Sequence, residues 1–208
     1  MDKKAFIWDL DGTLLDSYGV IVSSLREAFR ELGTEFGAEE IQRYVIRYSV
    51  SAFIKDASRR CGAEPDEAKR IYSRISGERQ DEIGLMPGAR ETLERLAGQE
   101  ALNYVFTHRG ASSFPILERL GIKRFFGEIV TGADGFARKP SPEALEHLIA
   151  KHSLERGLVY YVGDRSIDME CAENAGVKGI LFLPEGSFGE RGGKESRVIE
   201  KLIETAEL

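Results

Sequence analysis

An α/β fold is predicted for this chain of 208 residues: a parallel sheet flanked by helices, with a small helical insert after the first strand. Three observations predict it. Short apolar runs recur along the chain and stop at polar or turn residues, as strands buried on both faces do. Helical patterns separate or follow those runs, and such alternation calls for a parallel sheet with helices on both faces. One stretch, from about Ser17 to Gly84, shows helical patterns and no convincing strand.

The first strand is Ala5-Phe6-Ile7-Trp8, too short for a helix and ended by Asp9. From Tyr18 through Ile21, Val22, Leu25, Ala28, Phe29 and Leu32 the apolar positions follow the i, i+3, i+4, i+7 rule. Further helices are expected over 38–47, 50–60 and 65–81. Residues 17–84 therefore read as a small helical domain, inserted into a core formed by 1–16 and 85–208. In the core, strands are expected at 102–106, 128–131, 158–162 and 179–182. Helices are expected at 88–97, 114–120, 142–152, 168–175 and 197–206. Ser141-Pro142-Glu143 supplies an N-cap, a first-turn proline and an early acid for one of them.

Composition narrows the function classes. Hydrophobic residues at 42% and charged residues at 31% suit a globular protein with a sizeable core. A net charge of −6 without a long basic run argues against a nucleic-acid partner. Asp9 interrupts the N-terminal apolar run too early for a signal peptide or a membrane span, so a cytoplasmic location is expected. Cys61 and Cys171 lie far apart with no CxxC spacing, and reduced, packed thiols are expected. The Gly-rich segment 186–195 is no P-loop, since Glu195 stands where Ser or Thr is needed.

The chemistry-bearing residues gather where the strands end, the edge at which parallel sheets bind ligands. The first strand runs into Asp9-Leu10-Asp11-Gly12-Thr13. The next core strand runs into Thr107-His108-Arg109. A later loop carries Lys139-Pro140, and the strand after it runs into Gly163-Asp164-Arg165-Ser166-Ile167-Asp168. Each piece alone has a bland reading as a turn, a cap or a surface lysine. Their joint occurrence at strand ends fits phosphoryl transfer. A carboxylate can attack phosphorus and leave an acyl phosphate that water cleaves. A hard cation such as Mg2+ brings the two anions together on carboxylate oxygens. Asp9, the Asp11 carbonyl and Asp164 supply such oxygens, with Asp168 near the metal or its waters. Lys139, Thr107 and main-chain N–H groups can bind the phosphoryl oxygens. Asp11 can protonate the leaving alcohol and later activate water. Gly12 leaves room for the turn.

At these residues the chain resembles the haloacid dehalogenase superfamily, in its phosphoglycolate-phosphatase-like branch. Asp9-Leu10-Asp11-Gly12-Thr13-Leu14-Leu15-Asp16-Ser17 is similar to the branch's first motif. Thr107 resembles the second-motif hydroxyl, Lys139-Pro140 the third motif, and Gly163-Asp164 with Asp168 the acidic fourth. The resemblance implies a Rossmann-like core with a helical cap, a nucleophilic Asp9, an acid/base Asp11, bound magnesium and a small phosphorylated metabolite as substrate. A phosphomutase of the β-phosphoglucomutase type is the nearest alternative, and a non-catalytic binding protein a more distant one. His108 departs from the pattern, since many relatives have Asn there. Two readings of His108 stand side by side: beside a bound anion it binds phosphate and titrates near neutral pH, or it points toward the cap and only packs. In the cap, Arg43 and Arg47 are candidates for substrate contact.

Overall fold

The computed structural model describes residues 3–208, so the first two residues of the expected core segment 1–16 lie outside it. Its contacts divide the chain into two compact units, one running to Asp16 and resuming at Leu85, the other Ser17–Gly84. The chain passes between them through β2 (Leu15–Asp16) and β3 (Gly84–Leu85), which pair as a two-stranded sheet.

The first unit is built on six parallel strands in the order β5-β4-β1-β6-β7-β8. These are β1 (Ala5–Trp8), β4 (Leu102–Phe106), β5 (Glu128–Val130), β6 (Val159–Gly163), β7 (Lys178–Phe182) and β8 (Arg197–Ile199). Period two sorts their side chains. Ala5, Ile7, Tyr104, Phe106, Val159 and Tyr161 share one core with Leu145, Leu148, Cys171 and Ala172. Those last four come from α7 (Glu143–Lys151) and α8 (Ser166–Asn174), which cover this face. Of the alternate residues, Phe6 stacks with both Trp8 and Tyr160, and Trp8 Nε1 donates to Asn103 Oδ1 at 2.9 Å. α5 (Ala89–Gly98) packs beside β4, and α6 (Ser113–Arg119) follows β4 in the chain.

The C-terminal segment differs from the sequence expectation. Instead of one helix over 197–206, Arg197–Ile199 is the sixth strand and Leu202–Glu207 a 3₁₀ helix. Val198 and Ile199 are β-branched and extend the sheet beside β7. The two-residue strands β2 and β3 were also outside the expectation.

The second unit holds α1 (Tyr18–Glu31), α2 (Ala38–Arg47), α3 (Val50–Cys61) and α4 (Pro65–Glu78). Phe29, Phe36, Phe53 and Tyr44 meet mainly edge to face in its core, with centroids 5.2–5.8 Å apart. Among the described residues no helix is long and apolar enough to cross a membrane.

Candidate active site

Asp9 follows β1 directly, and its N–H donates to Val162 O at 2.9 Å, which continues the pairing with β6. By the alternation of β1, its side chain falls on the α7/α8 face. The chain then turns sharply. Gly12 takes φ +81°, in the left-handed region, and its N–H donates to Leu15 O. That turn sets Asp9 and Asp11 close to the same edge.

Lys139 is the central cation. Its Nζ lies 2.9 Å from Asp9 Oδ1 and 2.7 Å from Asp168 Oδ1, and the lysine and Asp168 side chains are fully buried. The rings of Phe106 and Tyr161 flank the ammonium, with centroids 5.0 and 5.2 Å away. Burial would strip Lys139 of its proton, but Asp168 and Asp9 outweigh burial and hold it above its ordinary range. Burial also raises Asp168, yet Lys139 and Arg165 overcome it and keep this carboxyl below the usual value. Asp9 behaves differently, since burial raises it in spite of Lys139.

Asp168 is held by more than lysine. Tyr161 Oη donates to its Oδ1 at 3.2 Å and the Arg165 N–H to its Oδ2 at 3.1 Å. Gly163 makes this possible, because a Cβ there would stand 2.4 Å from Asp168 Cγ. Asp164 Oδ1 accepts from Thr13 Oγ1 at 3.2 Å. Asp9, Asp164 and Asp168 each offer a carboxylate oxygen, all within 4.8 Å of one another. Three hard carboxylate oxygens gathered this closely fit a divalent cation such as magnesium.

Thr107 is buried at the end of β4; its N–H donates to Val130 O, and its Oγ1 accepts the Arg109 N–H at 3.1 Å. The expectation for His108 is corrected. Its Nε2 accepts the Lys139 main-chain N–H at 2.9 Å. Burial, then the charges of Lys139, Arg138 and Arg165, push its pKa down to about 3. The imidazole is therefore neutral, not titrating, near pH 7, and through its Nε2 it ties two loops together. Arg43 and Arg47 belong to the helical unit and are exposed there. Arg43 pairs with Glu39 one turn away, and the Arg47 guanidinium lies 5.6 Å from the Tyr48 ring centroid.

Two further residues of the site are not marked by the sequence. Tyr161 gave no signal beyond an apolar strand. Arg109 grips Asp11, with Nε 3.0 Å from Oδ1 and 3.2 Å from Oδ2, and Nη2 2.6 Å from Oδ1. Its only sequence signal was its place just past a strand end.

The chain is similar over most of its length to known phosphatases. A phosphoglycolate phosphatase of Vibrio parahaemolyticus is 31% identical over 202 residues, spanning 91% of this chain and 87% of the relative. A pyrophosphatase of Oceanobacillus iheyensis is 27% identical over 183 residues, spanning 86% of this chain and 82% of its own. The crystal structure of a predicted phosphoglycolate phosphatase from Haemophilus somnus superposes with a TM-score of 0.88 at 22% identity, covering 100% of this chain and 98% of the other. The family model of haloacid dehalogenase-like hydrolases matches residues 6–182, and the chain belongs to that family.

Proposed function

We propose that this hydrolase, an enzyme of the phosphatase class, is magnesium-dependent and hydrolyses a small phosphate monoester, 2-phosphoglycolate being the first candidate, through a phosphoryl-aspartate on Asp9. The observation that carries the reading is the buried cluster in which Lys139 bridges Asp9 and Asp168 with Asp164 alongside. Asp9 and Asp164 would hold the metal by their side chains and Asp11 by its main-chain carbonyl. Asp168, whose two oxygens already accept protein donors, stands behind them and fixes Lys139. Magnesium, when bound, offsets the repulsion between the carboxylates and the phosphoryl oxygens.

The chain's own groups account for the rest. Lys139 holds Asp9 by one oxygen and orients it toward phosphorus. A carboxylate oxygen of Asp9 forms the new P–O bond as the ester P–O bond breaks, and Asp11 gives the leaving oxygen its proton. Asp11 then takes a proton from water, whose oxygen bonds to phosphorus and releases Asp9. Thr107 and nearby main-chain N–H groups bind the phosphoryl oxygens through both steps. The relatives named for phosphoglycolate support the substrate class, and so does the hydroxyl-lysine-carboxylate set.

Asp9→Asn tests the scheme. The change is nearly isosteric, so circular dichroism should stay as in the wild type while phosphate release falls to background. Near-wild-type turnover in the pure variant would sink the covalent route.

A further inference from the structure

We infer that Arg109 reads a second anionic group on the leaving side of the substrate, and that this anion displaces Asp11 from the guanidinium. The inference rests on the reading of Asp11 as the group that serves the leaving oxygen. Whatever grips Asp11 then lies on the leaving side, whereas Lys139, enclosed by Asp9 and Asp168, lies on the transferring side.

Arg109 is built for such a task. Its side chain is only 10% exposed, beside an Asp11 side chain that is 25% exposed. The backbone is pinned at both polar atoms, the N–H by Thr107 Oγ1 and the carbonyl by the Gly132 N–H at 2.9 Å. Gly132 approaches so closely that a Cβ on it would stand 2.5 Å from His108 O. A guanidinium presents a planar fork of donors that matches carboxylate or phosphate geometry. Here the fork already holds a carboxylate, that of Asp11, through two of its nitrogens.

That pairing sets a condition on the substrate. Both Asp11 oxygens accept from Arg109, so Asp11 reaches an ester oxygen only as the pairing loosens. A leaving group ending in a carboxylate or a phosphate brings a replacement acceptor. The fork then passes from Asp11 to the substrate, so the guanidinium keeps an anionic partner, while the partly exposed Asp11 is freed to carry the proton that the leaving oxygen takes. A neutral leaving alcohol brings no such acceptor and has to break the pair uncompensated. The site should therefore prefer phosphates whose leaving portion is itself anionic.

Equilibrium binding tests this without turnover. The probes are 2-phosphoglycolate, pyrophosphate and 2-hydroxyethyl phosphate, titrated by calorimetry into Asp9→Asn protein with magnesium. At least one of the two anionic probes should bind about tenfold or more tighter than the neutral-ended one, and their order tells whether carboxylate or phosphate fits better. Adding Arg109→Gln should weaken the favoured probe by about 10- to 100-fold and leave 2-hydroxyethyl phosphate within about twofold. Arg109→Lys, which keeps charge without the fork, should restore part of the preference. Absence of any preference in the Asp9→Asn protein overturns the inference before an Arg109 variant is made. Equal weakening of all probes by Arg109→Gln also overturns it and leaves Arg109 as an orienting partner of Asp11. Failure of the phosphatase reading shows separately, as no phosphate released by the wild type from any of the three.

Discussion

His108 shows how a single side chain can be legible in kind and illegible in role. The sequence places an imidazole beside Thr107, the hydroxyl proposed to bind phosphate, which suggests a proton switch. The fold instead turns its Nε2 to the main-chain N–H of Lys139 and buries it among cations. An unfolded chain takes up this proton near the ordinary 6.5, the folded one only near about 3. Between those values the unfolded state binds more protons, so His108 supports the fold above the upper value and that support drains away as pH falls. His108→Asn keeps an acceptor for the Lys139 N–H but cannot titrate. The fall in Tm from pH 6.5 to pH 4 should be shallower in His108→Asn than in the wild type. Identical slopes would mean that His108 is solvated and free to protonate in the folded protein. Arg109 is the opposite case: its type was plain, but its partner lies 98 residues away in sequence, and no local pattern announces such a pair.

At the scale of elements, five core strands could be read from apolar runs, while the sixth could not. Arg197–Ile199 spans three residues, too few for period two to show, and Glu204 lies where a helical reading is natural. The Glu204 carboxylate in fact accepts the N–H groups of Glu200 and Lys201, which ends the strand and opens the 3₁₀ turn. The β6–α8 turn was legible because its acids and glycine are adjacent in sequence. What could not be read was that Gly163 is required by contact and not by backbone angle; its φ is not among the positive ones. A methyl on it would meet Asp168 Cγ, Cβ and Oδ2 at 2.4–2.5 Å. Gly163→Ala should therefore cost about 1–3 kcal/mol of stability, as overpacking does, and pull Asp168 from Lys139. Gly186→Ala, at a position with open space but positive φ, serves as the comparison for a purely backbone cost. A urea midpoint for Gly163→Ala within error of the wild type would show that α8 shifts freely, against the rigid turn described here.

Across the whole molecule, chain order scatters the site and sheet order gathers it. β4, β1 and β6 are neighbours in the sheet although α1–α4 lie between the first two in sequence. Three carboxylates at or beyond strand ends thus share one buried place, in a chain whose net charge is already −6. Crowding of like charges destabilises the metal-free fold, so a ligand that relieves it should stabilise the folded state. Magnesium at about a hundredfold excess over its Kd should add about 2.7 kcal/mol, a rise in Tm of about 5–10 °C for a chain of this size. Asp164→Asn separates the metal's contribution from packing. An amide oxygen can still accept from Thr13 Oγ1, and one negative charge is gone, so the metal-free Tm should be no lower than that of the wild type. The magnesium-dependent rise should largely vanish in the variant. Calcium should raise the wild-type Tm while supporting turnover poorly, since its larger, looser coordination misplaces the attacking oxygen. A full magnesium shift retained in Asp164→Asn, or none in the wild type at millimolar magnesium, would remove the cation from this cluster.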